Sequence, residues 1–534
     1  MTLHGKSLLA GTVGQPNGNP FRAVNPATGE RLSPDFHGAS MAEVGQALEA
    51  SAQAFAIYRA RPAADRAKLL DAIAAEIEAL GDTLLQRAVA ETGLPLGRIT
   101  GERARTCGQL RLFAQVVRDG SWADARIDPA LPNRQPLPRA DLRRILRPLG
   151  PVVVFCSSNF PLAFSTAGGD TASALAAGCT VVVKAHRAHP GTAELVGGAI
   201  TRAVAACGLP AGVFSLVHGD GATVGIAMVR HPAVAAVGFT GSRAAGRALF
   251  DAAAARPHPI PVFAEMSSRN PVFLLPGALR DRGAEIAKGL LGSFTLGVGQ
   301  FCTKPGLVFA VRSPETDAFL KSFAELVRAA PCGTMLTSGI RDAFHKNRNL
   351  VTAVAGVQPL AEGSAAARAP ATEGQPSVAT TTAKNFIANP ELATEAFGPF
   401  TLVVIAETAR ELDACAAALE GQLTATLHGN ADDLAGASAL VAVLEQKAGR
   451  LLVNGFPTGV EVSHAMNHGG PYPATSDVRF TSVGTAAIYR FSRPVCYQNF
   501  PDPLLPAELQ DTNPLRLLRL VDGNYTRDPV TRVA

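Results

Sequence analysis

A cysteine in a turn of small residues and a glutamate closing an apolar run are the two groups in this sequence best suited to covalent chemistry. Cys302 lies within Gly299-Gln300-Phe301-Cys302-Thr303-Lys304-Pro305-Gly306, after an apolar helical run. Glu265 ends Pro261-Val262-Phe263-Ala264-Glu265. A thiolate is a strong nucleophile toward a carbonyl carbon, and a carboxylate at a strand end can take a proton from the thiol or from water. One cysteine alone is weak evidence, because most free cysteines are small buried hydrophobes. The other cysteines are scattered, with no CxxC pair and no Cys/His cluster at zinc spacing. The spacing therefore predicts no metal site and a reducing, cytoplasmic setting.

These two groups need rigid elements to hold them, and the sequence has the pattern of an α/β protein. The chain has 534 residues, 47% hydrophobic and 17% charged, enough for two or three globular domains. Residues 40–118 predict helices, with apolar positions recurring at three and four in Leu69, Leu70, Ile73, Ile77 and Leu80 and a break at Gly93-Leu94-Pro95. From 151 the pattern alternates. Apolar runs at 151–156, 180–184, 213–217, 235–240 and 261–265 predict strands, and helices are expected up to Gly178, at 192–206 and at 242–255. Continuous apolar strands between helices imply a parallel sheet covered on both faces, with ligands at the carboxyl ends of its strands. A second α/β region follows Asn270-Pro271, with helices near 281–297 and 314–329 and strands at 307–311 and 401–406. Residues 361–376 predict a surface loop, and the turn-rich tail from Gly470 predicts one strand at 486–491.

The net charge of +5 is small for this length and gives no reason to expect nucleic acid. The arginines between Trp122 and Gly150 alternate with prolines and apolar residues without aromatic interleaving, which predicts an exposed extended arm with a solvated charged face. The N-terminal residues do not read as a signal peptide, and no run approaches the roughly 20 apolar residues of a membrane helix.

Taken in order, the motifs resemble those of the aldehyde dehydrogenase superfamily over nearly the whole chain. Ser158-Asn159-Phe160-Pro161, Val183-Lys184, Phe239-Thr240-Gly241-Ser242, Glu265, Gln300-Phe301-Cys302, Glu395-Ala396-Phe397-Gly398-Pro399 and Asn454-Gly455 carry the resemblance. The resemblance implies a Rossmann-type parallel-sheet cofactor domain (1–125 and 151–266), an α/β catalytic domain (267–470), and an oligomerisation arm with a C-terminal segment (126–150 and 471–534). A homodimer or homotetramer is expected from it. The chain departs from the commoner pattern at Met266-Ser267-Ser268-Arg269, where many members have Leu-Gly-Gly-Lys. It departs again at Ala185-His186-Arg187, where NAD-preferring members often carry Pro-Ser-Glu. The stretches 455–462, 469–477 and 493–498 look like the branch of α-ketoglutaric semialdehyde (2,5-dioxopentanoate) dehydrogenases, with NADP-dependent fatty-aldehyde dehydrogenases as near relatives.

The resemblance implies a role for each matched residue. Cys302 is the expected nucleophile, forming a thioester as hydride leaves for the nicotinamide. The Asn159 side chain and the Cys302 backbone N–H are the expected oxyanion donors. Glu265 is the expected base for thioester hydrolysis, which disfavours a CoA-acylating enzyme. Lys184, Glu395 and Phe397 are expected at the cofactor, and Gly241 and Ser242 open a helix whose N-terminus can receive pyrophosphate. Arg187, with His186 beside it, favours the 2′-phosphate of NADP, with NAD as the other possible cofactor. A substrate carboxylate would want an arginine, with Arg111, Arg118 and Arg269 as candidates. The expected activity is oxidation of a semialdehyde such as 2,5-dioxopentanoate. The alternatives are a long-chain aldehyde dehydrogenase, which would need an apolar tunnel, and a catalytically silent binding protein on the same fold.

Overall fold

The computed structural model describes residues 3–364 and 372–531. Four helices, Met41–Tyr58, Ala63–Ala79, Gly81–Thr92 and Leu96–Asp119, fill the stretch expected to be helical. Ser40 and Glu43 form a capping box at the start of the first, and Gly93, at φ 65°, ends the third. Leu69, Leu70, Ile73 and Ile77 are fully buried, each side chain contributing about 1.5–3 kcal/mol of transfer free energy.

The first seven-stranded sheet has the order Val262–Glu265, Ala236–Thr240, Val152–Phe155, Val181–Lys184, Phe214–Val217, Leu8–Leu9, Thr12–Val13. Its first five strands are parallel, while the N-terminal hairpin joins antiparallel at the edge. Thr240 pairs in register with Glu265, and Phe155 with Lys184, so the carboxyl ends of the strands line up along one end of the sheet. Every residue of Val152–Phe155 and Val181–Lys184 is buried, as the unbroken apolar runs require.

The second seven-stranded sheet has the order Gln358–Glu362, Ser377–Thr382, Phe400–Ala406, Leu307–Val311, Val272–Leu274, Gln422–His428, Ala448–Val453. All its pairs are parallel except the first. The helices Pro276–Thr295 and Pro314–Ala329 pack on it. The loop expected at 361–376 ends in strand pairs on both sides, Gln358–Glu362 and Glu373–Gly374, and its centre lies outside the described residues.

A third sheet joins distant segments in the order Ser492–Gln498, Leu142–Pro148, Arg126–Asp128, Arg519–Val521, Asn524–Thr526. The arm is therefore not simply a solvated charged strand. Arg143 is 1% exposed. It is satisfied by Asp141 at 2.9 Å, Asp511 at 2.7 Å and the Leu509 carbonyl at 2.6 Å. The strand expected at 486–491 is instead a 3-10 helix, Thr485–Phe491. Ala487, Ile488 and Phe491 enter the core of the first sheet, and Arg490 pairs with Asp170 at 2.8 Å. The strand begins one residue later, at Ser492. Among the described residues no helix is long and apolar enough to cross a membrane.

Candidate active site

The Cys302 loop is held from three sides. It follows the 3-10 turn Leu296–Gly299, where Gly299 has φ 67° and a Cβ would lie 2.3 Å from the Gly398 carbonyl. Only glycine allows that close approach. Asn270, itself at φ 48°, donates its amide to the carbonyls of Cys302 at 2.8 Å and Lys304 at 3.0 Å. Lys304 donates to the carbonyls of Ala396 at 3.0 Å and Phe400 at 2.7 Å, and burial brings its ammonium down to about 8. Phe301 meets Phe160 edge to face at 5.2 Å.

Glu265 ends its strand beside this loop. The tail covers the outer edge of that strand: Met266 donates to the Ala474 carbonyl and Ser476 to the Ala264 carbonyl. That docking carries His468 and Ser482 to the carboxylate. His468 Nε2 lies 2.9 Å from Glu265 Oε1 and 3.4 Å from Cys302 Sγ, while Ser482 Oγ donates to Glu265 Oε2. Burial raises the Glu265 carboxyl, but His468, Ser482 and the Cys302 thiol together overcome it and hold the group below its ordinary value. Cys302 is pushed well up, first by burial and then by the negative charge of Glu265, with Arg105 opposing. The thiol form therefore dominates until something cationic joins the site.

A cavity of about 790 Å³ opens beside the sulfur, lined by Asn159, Gly241, Ser242, Glu265, Cys302, Glu395 and Phe397 among others. Asn159 spends one amide hydrogen on the Gln300 carbonyl at 2.9 Å, leaving the second available. The Gly241 N–H donates to the Glu265 carbonyl at 3.0 Å, and Ser242 caps the helix Arg243–Ala254. Burial raises the Glu395 carboxyl, with Ser267 and Lys304 opposing. An open helix N-terminus at one end and a glutamate on the other wall fit a dinucleotide.

Lys184, His186 and Arg187 do not line this cavity. They sit at the carboxyl end of the same sheet, in and after Val181–Lys184. Lys184 is buried, and that burial lowers its pKa. His186 accepts from the Ala188 N–H at 3.1 Å, and burial and His189 lower its pKa well below the usual imidazole range. Arg187 is exposed, its guanidinium 4.5 Å from the centre of the Phe21 ring, and among the described residues no carboxylate pairs with it.

The three arginines expected to meet a substrate carboxylate are already engaged. Arg111 forks onto Glu78 at 2.7 and 2.6 Å, Arg118 pairs with Asp71, and Arg269 pairs with Glu420 at 2.8 Å. Two others, absent from the sequence reading, couple electrostatically to Cys302: Arg105 and Arg450. Arg105 donates to the Val460 carbonyl at 3.3 Å and lies 5.2 Å from the Phe164 ring centre, and no carboxylate among the described residues forms an ion pair with it. Arg450 is fixed on the carbonyls of Pro457 and Gly459. His468 and Ser482 were missed as well. His468 directly precedes the Gly469-Gly470 pair, a weak signal, and the contact joining it to Glu265 spans 203 residues of sequence.

Residues 14–473 match the aldehyde dehydrogenase family, and the chain belongs to it. NAD(P) is the cofactor class of that family. The chain is 56% identical over 524 residues to alpha-ketoglutaric semialdehyde dehydrogenase 2 of Azospirillum brasilense, covering 98% of this chain and 99% of that one. It is 47% identical over 526 residues to alpha-ketoglutaric semialdehyde dehydrogenase of Acinetobacter baylyi, at the same coverage. The fold is shared with the crystal structure of PnpE in complex with nicotinamide adenine dinucleotide, with a TM-score of 0.78, 23% identity, and 93% of this chain and 97% of that one covered.

Proposed function

We propose that this aldehyde dehydrogenase oxidises 2,5-dioxopentanoate to 2-oxoglutarate, using NADP in preference to NAD. Cys302 Sγ gives up its proton, with Glu265 as the nearest ionised base, and adds to the aldehyde carbon. The second Asn159 amide hydrogen and the Cys302 N–H receive the alkoxide, and one such donor contributes about 10²–10³ in rate. Bound nicotinamide supplies the hydride acceptor. Cys302 then carries a thioester. Glu265 takes a proton from the water that cleaves it, which frees the carboxylate product and restores the thiol. Through its contact with Glu265, His468 keeps that carboxylate ionised. Lys184, Gly241, Ser242, Glu395 and Phe397 form the cofactor contacts in this reading, with His186 beside the 2′-phosphate. The guanidinium of Arg187, with no carboxylate partner among the described residues, suits that phosphate.

The observation that favours a carboxylated substrate is a cation coupled electrostatically to the nucleophile, although Arg105 lines a second cavity with Val460 and Glu461 and not the large one. A long-chain aldehyde would need an apolar tunnel, whereas Arg105 is partly buried, coupled to Cys302 and without an ion-pair partner among the described residues. The exposed edge strand Ser492–Gln498, with exposed Leu137, Phe500, Leu504 and Tyr525 nearby in sequence to the arm strands, supports a homodimer or homotetramer assembled through the arm. Eight free cysteines support a reducing, cytoplasmic setting.

The test compares kcat/KM for 2,5-dioxopentanoate and decanal in the wild type and in Arg105→Gln. Loss of a charge-assisted contact of about 1.5–3 kcal/mol raises KM for the dioxo acid roughly 10–100-fold and spares decanal. A wild type that prefers decanal overturns the substrate reading. Equal losses on both aldehydes remove Arg105 as the anchor.

A further inference from the structure

We propose that Glu265, Cys302 and His468 form a binding site for zinc, and that zinc bound there switches the enzyme off by occupying its nucleophile. The three groups come from a strand end, a loop and the tail, which is why no metal spacing is visible in the sequence. Their donor atoms, one carboxylate oxygen, Sγ and Nε2, all lie within 4.8 Å of one another. The Nε2–Sγ separation is 3.4 Å and the Nε2–Oε1 separation 2.9 Å.

Those distances approach what zinc requires. Bonds of about 2.3 Å to sulfur and about 2.0–2.2 Å to nitrogen and oxygen, at tetrahedral angles, put neighbouring donors roughly 3.3–3.6 Å apart. The Nε2–Sγ and Nε2–Oε1 pairs need to spread by only a few tenths of an ångström, and the third pair lies within 4.8 Å. Three protein ligands leave a fourth position, and Glu265 and Cys302 both face the large cavity, so water or chloride can complete the shell from there. A thiolate and an imidazole select zinc over magnesium or calcium. Charge also balances: one thiolate and one carboxylate, poorly solvated where they stand, neutralise a dication.

The proton inventory is explicit. Zinc displaces the thiol proton of Cys302, which goes to solvent. His468 offers the Nε2 lone pair, so its proton resides on Nδ1, and no electron transfer occurs. Ser482 stays on Glu265 Oε2 and leaves Oε1 for the metal. His468 Nδ1 is buried and, among the described residues, has no hydrogen-bond partner. A ligating histidine normally donates through its other nitrogen, and losing that partner weakens binding about 10–100-fold. The site is therefore one for reversible inhibition and not for a permanently held ion. A sulfur bound to zinc cannot add to an aldehyde, and Glu265 is withdrawn from water at the same time.

The experiment titrates zinc chloride alone, at buffered free concentrations, into the cofactor-free full-length protein. Metal per chain is counted, and the rate of Cys302 alkylation by iodoacetamide is followed by peptide mapping. The expected result is one zinc per chain, protection of Cys302, loss of aldehyde oxidation and recovery of both on adding EDTA. His468→Phe and Cys302→Ala each weaken zinc uptake at least about tenfold. His468→Gln, which keeps a polar side chain without an imidazole, guards against a packing defect, and its thermal melt and cofactor affinity establish that it is folded. Unchanged zinc affinity in folded His468→Gln overturns the proposal, and so does full-rate alkylation of Cys302 at saturating zinc. These readouts are independent of the substrate and would stand or fall separately from it.

Discussion

The two seven-stranded sheets both run largely parallel and bury their central strands, yet they meet the site with opposite ends. The first offers carboxyl ends: Lys184, Thr240 and Glu265 are the last residues of their strands. The second offers amino ends: Asn270 precedes Val272–Leu274, the Cys302 loop precedes Leu307–Val311, and Phe397 precedes Phe400–Ala406. The two ends are finished differently. On the first, a capped helix N-terminus stands open, as parallel sheets offer to anionic ligands. On the second, side chains tie each turn to the next: Asn270 and Lys304 bond four carbonyls between them, and Gln422 accepts from the N–H groups of Arg269 and Asn270. A cofactor must come and go, whereas a nucleophile must stay within a fraction of an ångström of one position.

The sharpest way to separate the two ends is to remove the sulfur. Cys302→Ala should reduce aldehyde oxidation by about 10⁴ or more while leaving NADP affinity nearly unchanged, measured by steady-state rate and by equilibrium titration. Substantial turnover would reject the nucleophile, and a large loss of cofactor affinity would mean that the two ends are not independent. Glu265→Gln follows in size. If Glu265 is the base for thioester hydrolysis, steady turnover should fall roughly 10²–10⁴-fold with a first burst of reduced cofactor preserved. An unchanged steady rate removes Glu265 from the mechanism.

The two ends also differed in how far the sequence announced them. Strands of the first sheet are unbroken apolar runs, and the ends expected at 184, 240 and 265 are the ends observed. In the second sheet, Gln422–His428 escaped notice because Gln422, Thr424, Thr426 and His428 alternate along it, all of them buried. Gln422 and Thr424 are satisfied by the Ser268–Asn270 turn, a tertiary fact that no local pattern carries. Cys302, Glu265 and Asn159 were legible because each sits in a short motif and all line one cavity. His468 and Arg105 were not, since His468 touches the sulfur and Arg105 couples to it electrostatically only after the tail and the Leu96–Asp119 helix have docked. The misassigned 486–491 segment has the composition of a strand, but burying Ile488 and Phe491 beside the Arg490–Asp170 pair wins over that propensity.

On the first sheet, Arg187→Glu should move preference from NADP toward NAD without touching sulfur chemistry. If Arg187 reads the 2′-phosphate, the substitution removes a partner worth about 1.5–3 kcal/mol and adds a like charge, so the ratio of kcat/KM for the two cofactors should shift at least roughly tenfold. Alkylation of Cys302 should proceed as in the wild type. A ratio moved less than about threefold means that Arg187 does not read the 2′-phosphate.

The smallest effect is expected at the far edge of the first sheet, where the N-terminal hairpin is pinned by Glu194. This carboxylate, with a side chain 1% exposed, accepts from the His4 N–H at 2.8 Å and the Gly5 N–H at 2.9 Å. Burial outweighs those bonds and raises its pKa from 4.5 to about 7. The folded protein thus holds this proton more tightly than the unfolded chain. The resulting stability is fully present below pH 4.5 and is lost as the pH rises through about 7. Glu194→Gln removes the titration and keeps one acceptor for the two N–H groups. Relative to the wild type, the variant should melt lower or equally at pH 5 and gain on it by a few degrees at most at pH 8, with kcat unchanged at both. A melting difference that stays constant between the two pH values would show that Glu194 is already ionised at pH 5. The hydrogen bonds from His4 and Gly5 would then outweigh the cost of burial, and this edge would be braced as firmly as the Cys302 loop.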